Sequence, residues 1–193
     1  MMALNSLCSE QQQQQHILTV YEVYESEGRL RIIEELMEDD FSGVVCNWHQ
    51  EYSEDFCRYT LYCVARGIKL MHSKNVLHRD IKSDNILFKP TGEIKLGDFG
   101  AAVYLGEDDR SYCEAQQQGT TNWLSPEVAQ GQPYYKEADI WAFGCFAYEM
   151  ATGQMLFGEF ARDPSAVYHA IINREIPAIT SKTNGGRTWS HDF

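Results

Sequence analysis

His78-Arg79-Asp80-Ile81-Lys82-Ser83-Asp84-Asn85 sets a carboxylate, an ammonium and a carboxamide on one short stretch, and Asp98-Phe99-Gly100 follows closely. Moving a phosphoryl group requires a hydroxyl held beside a phosphate and a neutralised charge, and these residue types at these intervals supply both. Asp80 can accept or orient the proton of an attacking hydroxyl, a contribution of roughly 10²- to 10⁴-fold in rate. Lys82 can neutralise the phosphate being moved. Asn85 and Asp98 offer oxygen ligands to Mg²⁺, which takes few protein ligands and shares its other positions with phosphate and water. Taken singly, Asp80 would pass for a turn cap and Asp98 for the partner of a lysine. Gly119-Thr120-Thr121-Asn122-Trp123-Leu124-Ser125-Pro126-Glu127 and Asp139-Ile140-Trp141-Ala142-Phe143-Gly144 follow in order, so that plainer account would need four separate coincidences.

The elements that must position these residues are legible around them. Ser53 begins a predicted amphipathic helix through Ser73, with an N-cap serine, an acidic first turn and apolar Phe56, Tyr59, Cys63, Ile68 and Met71. That helix delivers the chain to His78. A short strand over Ile86 to Phe88, a turn at Lys89-Pro90-Thr91-Gly92 and a second strand over Glu93 to Leu96 then carry it to Asp98. Ile17 to Tyr24 and Leu30 to Leu36 flank Ser26-Glu27-Gly28 and predict a hairpin. Ala138 to Thr152 is apolar on nearly every side, as a helix buried all round would be, and Gly153 suits its end. Asp163-Pro164 opens a further helix through about Glu175. Strands come first and helices dominate later, with a hinge near Leu36 to Phe41.

A chain of 193 residues is long enough for one sizeable packed core. Hydrophobic content of 44% and charged content of 23% exclude a disordered chain, and no apolar run reaches membrane-spanning length. A net charge of -12 excludes nucleic acid as a partner, because that binding rests on clustered Lys and Arg. Six cysteines form no C-x-x-C pair, so reduced thiols and no structural metal are expected. The opening residues lack the pattern of a secretory leader, which predicts a cytoplasmic chain, or a nuclear one.

Together these motifs resemble the eukaryotic protein kinases through the catalytic loop, the D-F-G turn, Ser125-Pro126-Glu127 in place of A-P-E, and the D-x-W-x-x-G helix. Lys82 after Ile81 looks like the serine/threonine branch. Leu96-Gly97-Asp98-Phe99-Gly100, Leu124-Ser125-Pro126-Glu127 and Asp139 to Cys145 look most like NIMA-related kinases. The resemblance covers about Leu4 to Phe193. It implies an α+β, protein-kinase-like fold: an incomplete β-rich N-lobe, a hairpin only, over residues 1–37 with the hinge, and a mostly helical C-lobe over residues 38–193.

It also implies ATP and Mg²⁺ as cofactors and a protein substrate, with Asp84 and Glu149 matching positions that favour a basic one. By resemblance, Asp80 is the catalytic aspartate, Lys82 its phosphate-side partner, Thr120 the threonine bridging them, and Asn85 and Asp98 the Mg²⁺ ligands. Leu87 would floor the adenine, and the backbone of Glu35 and Met37 would bond it, which puts Glu34 at the usually apolar gatekeeper position. Leu4, Val20, His78 and Phe99 would stack as a spine anchored on Asp139. Arg79 would pair with a modified activation-segment residue, for which Ser111, Tyr112 and Thr121 are candidates and Glu114 a partial substitute.

The sequence departs from the family in having no G-x-G-x-x-G loop and no V-A-I-K strand. The helix after Trp189 stops early, leaving Glu127 without the arginine that usually pairs with it. The chain is therefore expected to be a kinase domain truncated at both ends, with weak nucleotide affinity by itself. Two functions follow: phosphorylation of protein Ser and Thr hydroxyls by an enzyme of which this is the central part, or a pseudokinase-like binding module without catalysis. Oligomeric state is left open.

Overall fold

The computed structural model describes residues 15–48, 52–106, 119–179 and 189–190. Strand β1 (Val20–Ser26) and strand β2 (Arg29–Glu34) form an antiparallel hairpin with Ser26 opposite Arg29. Its two turn residues, Glu27 and Gly28, have φ of 56° and 69°, the left-handed pair whose twist matches that of the flanking strands. Every residue of β2 is exposed, and among the described residues it pairs only with β1. Just before the hairpin, Ile17 bridges Leu96 in parallel, while Leu18 donates its N–H to the Leu96 carbonyl at 2.9 Å and Leu96 donates to the His16 carbonyl at 3.0 Å. These bonds attach the hairpin to the helical body.

Strand β3 (Asp39–Asp40) leads into helix α1 (Phe41–Trp48), which starts at the end of the hinge expected near Leu36 to Phe41 and is not among the expected elements. Ser42, Gly43 and Val44 are poor helix formers, but Asp40 Oδ1 accepts the Ser42 N–H at 2.8 Å and caps the first turn. Phe41 and Val45, both fully buried, supply the packing that propensity does not.

Helix α2 (Glu54–Ser73) matches the sequence expectation: Ser53 Oγ accepts the Phe56 N–H, and Glu54 and Asp55 lie in the first turn. Its buried stripe runs through Cys57, Thr60, Cys63, Val64, Gly67, Ile68 and Met71. The expected stripe was thus displaced at its start, since Tyr59 is 47% exposed and Phe56 only half-buried. Strand β4 (Val76–Leu77) follows. After the loop from His78 to Asn85 come β5 (Ile86–Phe88) and β6 (Ile94–Leu96), with β3, β5 and β6 forming one antiparallel sheet. Strand β7 (Val103–Tyr104) returns to pair with β4, a contact between two-residue segments that local sequence could not announce.

The rest is helical: α3 (Pro126–Ala129), α4 (Glu137–Thr152) and α5 (Pro164–Ile172). Gly153 ends α4 with φ 70°, and Asp163 caps α5 by accepting from Ser165 and Ala166 N–H. Two details differ from expectation. α4 is not buried all round, because Ile140 is 52% exposed on its first turns, and α5 ends at Ile172, followed by Asn173 and Arg174 in a turn. Phe41, Met71, Leu77, Ile81, Ile86, Leu96, Phe146 and Met150 are fully buried and make one continuous core under the loop from His78 to Asn85. Each such side chain contributes about 1.5–3 kcal/mol on burial, which is what holds the loop's base rigid.

Candidate active site

The loop between β4 and β5 is fixed from below by one carboxylate on α4. Asp139, 2% exposed, accepts the His78 N–H on Oδ2 and the Arg79 N–H on Oδ1, each at 2.9 Å. His72 at the end of α2 reaches the same Oδ2 through Nε2 at 2.8 Å. His78 is itself fully buried, with Nε2 2.9 Å from the Gly97 carbonyl and Nδ1 3.3 Å from the Asp80 N–H. A carbonyl needs a donor and an N–H needs an acceptor, so the neutral Nε2–H tautomer satisfies both. Burial accordingly pushes the His78 pKa below its ordinary value. Its ring meets Phe99 edge-on with centroids 5.5 Å apart, which ties the loop to the D-F-G turn.

Arg79 has φ 69°, a left-handed conformation costly for a residue with a long side chain. Its surroundings over-determine it: besides the bond to Asp139, Nε donates to the Ala101 carbonyl at 2.5 Å and Nη1 to the Tyr134 hydroxyl at 3.3 Å. The strain turns Asp80 outward into a closed set of polar contacts. Lys82 Nζ lies 3.1 Å from Asp80 Oδ2 and donates to Thr120 Oγ1 at 2.8 Å, and Thr120 donates in turn to Asp80 Oδ1 at 2.8 Å. Asn85 Nδ2 donates to the Asp80 carbonyl at 2.7 Å and to Oδ2 at 3.0 Å. Burial would raise the Asp80 carboxyl, but hydrogen bonds from Thr120 and Lys82, the Lys82 charge and the Asn85 amide outweigh it and hold it below the ordinary carboxylate range. Asp80 is therefore an anion at neutral pH, suited to orienting a hydroxyl.

Thr120 reaches Asp80 because Gly119 permits a close approach. Gly119 has φ 110°, and a Cβ there would come within 2.5 Å of the Arg79 carbonyl oxygen. No other residue can adopt that backbone and that spacing at once.

Asn85 and Asp98 converge. The Gly97 N–H donates to the Asn85 carbonyl at 2.8 Å, and Asp98, φ 55°, opens the turn with Oδ1 accepting the Gly100 N–H at 3.1 Å. Both residues line a cavity of about 600 Å³ together with Val20, Leu30, Ile32, Leu87 and Phe99. The Asn85 side-chain nitrogen Nδ2 is committed to Asp80, so the side-chain oxygen Oδ1 is left for a cation. Two oxygen donors beside an open cavity fit Mg²⁺, whose remaining ligands come from phosphate and water. Among the described residues no cluster of three or more His, Cys, Asp or Glu is placed to hold a metal.

The remaining predicted residues fall as follows. Leu87 lines the cavity, as does Glu34, which is exposed on β2 and so bears none of the burial cost expected of a gatekeeper carboxylate. Glu35 and Met37 are half-buried behind it and do not line it. The Glu35 N–H is spent on the Thr19 carbonyl at 2.8 Å. The Glu35 carboxylate, which sequence reasoning passed over, pairs with Lys89 and Lys95 at 2.5 Å each and straps the hinge to the β5–β6 hairpin. Partial burial opposes its ionisation, yet the hydrogen bonds and charges of the two lysines hold its pKa at about 2.

Thr121 begins a short turn ahead of α3, half-buried, and among the described residues no cation lies within ion-pair reach of Glu127. Leu4, Ser111, Tyr112 and Glu114 lie outside the described residues. Sequence reasoning also missed the contact between Ser83 and Glu149. Ser83 Oγ donates to Glu149 Oε1 at 3.1 Å, while Oε2 is buried with no hydrogen-bond partner among the described residues.

The family model for the protein kinase domain matches residues 5–191. The chain belongs to the protein kinase family. This kinase domain is 37% identical over 148 residues to the mitogen-activated protein kinase mpkB of Aspergillus fumigatus, covering 76% of this chain and 40% of that protein. It is 41% identical over 131 residues to mitogen-activated protein kinase kinase kinase 19 of Mus musculus, covering 66% of this chain and 10% of that one. Among solved structures, the yeast RNA Pol II CTD kinase CTDK-1 complex aligns with a TM-score of 0.69 at 25% identity, over 80% of this chain and 50% of that chain. The domain thus spans about 40% of the length of the fungal MAP kinase it matches. These relatives confirm a eukaryotic protein kinase and do not support the narrower NIMA-related placement. The α+β, kinase-like fold expected from the motifs stands, with few N-lobe strands and a helical body.

Proposed function

We propose that this chain carries the catalytic centre of a serine/threonine protein kinase that phosphorylates protein hydroxyls from MgATP. The observation that carries the reading is the closed set of contacts joining Asp80, Lys82, Thr120 and Asn85, with Asn85 and Asp98 on one cavity. Ionised Asp80 orients the substrate hydroxyl and takes its proton as the oxygen bonds to the γ-phosphorus and the bond to ADP breaks. Lys82, held by Thr120, faces the charge that develops on the transferred group. Asn85 and Asp98 would hold Mg²⁺, which when bound neutralises phosphate charge. Leu87, with Leu30 and Val20, supplies apolar surface for the base. Residues 1–37 are read as N-lobe and hinge and 38–193 as C-lobe.

Lys82 following Ile81 supports the serine/threonine branch. A basic substrate is supported by Asp84, exposed on the cavity. An array of peptides with and without arginine ahead of the acceptor tests this; equal phosphorylation of both sets counts against it.

The second reading, a binding module without catalysis, is favoured by β2, whose outer edge has no partner strand among the described residues. One assay separates the two. Transfer of labelled phosphate to a protein substrate, abolished by about 10²-fold or more in Asp80→Asn, supports the kinase. Transfer that Asp80→Asn leaves intact refutes the assignment of Asp80, and absence of transfer favours the module.

A further inference from the structure

A second cavity, of about 290 Å³, lies between the segment ahead of the hairpin and the later turns of α2, and shares no residue with the first. Its lining is Gln15, His16, Arg66, Gly67, Lys69, Leu70 and Ser73. In a chain of 28 acidic and 16 basic residues, two cations and an imidazole face it, and among the described residues no carboxylate does. Arg66, Lys69, Leu70 and Ser73 follow the i, i+3, i+4, i+7 spacing that puts them on one side of the helix. Among the described residues neither cation has an ion-pair partner, although the molecule elsewhere pairs its lysines closely, as at Glu35.

The walls are fixed. The chain at His16 runs directly over α2, where a Cβ on Gly67 would come within 2.7 Å of the His16 carbonyl oxygen. The same oxygen accepts from Leu96, and His16 Nδ1 lies 3.2 Å from the Ile94 carbonyl. That contact makes Nδ1 the donor and fixes the ring, which also meets Tyr62 edge-on at 6.3 Å. Arg66 sits over the Tyr62 ring, its Cζ 6.0 Å from the centroid, so the guanidinium is oriented by the same aromatic.

We infer that this cavity is a binding site for a phosphoryl group, separate from the proposed catalytic centre. A small phosphate anion matches it better than an extended polyanion does, since the net charge of -12 repels nucleic acid while a small cavity with local cations does not repel a compact anion. The proposal is independent of catalysis, and its test reads binding alone.

The isotope-labelled chain is titrated with sodium pyrophosphate at constant ionic strength, and separately with a phosphoserine peptide, by NMR. The site requires saturable shifts of the His16 ring and the Arg66 and Lys69 amides. Arg66→Gln and Lys69→Gln should each weaken binding about tenfold, the effect of losing one charge-assisted hydrogen bond. Both side chains are exposed, so the fold is retained, as the melting temperature will verify. Asp98→Asn, on the other cavity, should leave these shifts unchanged. Tighter binding of the peptide assigns the site to phosphorylated protein, and tighter binding of pyrophosphate to small phosphate compounds; either supports it. Shifts that do not saturate, or that persist undiminished in both variants, overturn it.

Discussion

Replacing Glu149 by Gln should make the protein more stable at alkaline pH while changing little at acid pH. Glu149 is 4% exposed, near the end of α4, with one oxygen bonded by Ser83 and the other without a hydrogen-bond partner among the described residues. Burial, opposed by the Ser83 hydrogen bond and reinforced by the Asp84 charge, raises its pKa from 4.5 to about 7. The sign follows from proton binding. Between these two values the unfolded chain has released the proton and the folded chain still holds it, so stability falls as pH rises. Each pH unit in that window costs about 1.4 kcal/mol, and the loss approaches ~3 kcal/mol once the pH exceeds 7. Gln mimics the protonated acid and carries no such penalty.

His78, buried neutral, acts in the opposite sense: its contribution is present above an unfolded value near 6.5 and lost as pH falls. Comparing variant with wild type at each pH cancels it. Urea unfolding at pH 5 and pH 8 should show the stability difference moving toward the variant by about 3 kcal/mol. A difference that stays constant across pH would show that Glu149 is already ionised in the fold and that the reasoning from burial is wrong.

Asp139→Ala should lose about 3 kcal/mol or more, because it strands the buried N–H of His78 and bares the strained Arg79 backbone, as measured by denaturant midpoint. A loss under about 1 kcal/mol would mean that water replaces the carboxylate. Gly119→Ala should separate Thr120 from Asp80 and cut phosphoryl transfer by about tenfold or more with smaller change in overall stability; unchanged transfer would show that the segment shifts without consequence.

The catalytic loop was legible because its chemistry is local: Asp80, Lys82 and Asn85 lie within six residues, and the distances follow once His78 and Arg79 are pinned. α2 was legible at its start because a serine cap and two acids declare it. α1 was not, since Ser42-Gly43-Val44 argues against helix and only the burial of Phe41 and Val45 decides otherwise. The stripe on α2 was misplaced at Tyr59 because an aromatic residue reads as core whether it faces inward or not. Glu35 could be matched to the hinge, yet its strap to Lys89 and Lys95 spans 54 and 60 residues and is invisible to local pattern. Glu149 could be matched to a position that favours a basic substrate, but its burial follows from the packing of α4 under the loop from His78 to Asn85 and has no local signal.

Asn85 and Asp98 are proposed to hold one cation beside Asp80. Paramagnetic broadening by Mn²⁺ in the presence of ATP reads this directly, and does so even at weak affinity. Broadening centred on Asn85, Asp98 and Gly100, and lost in Asp98→Ala, is the predicted result. Broadening that survives Asp98→Ala, or that centres away from the Asp80 loop, would contradict it.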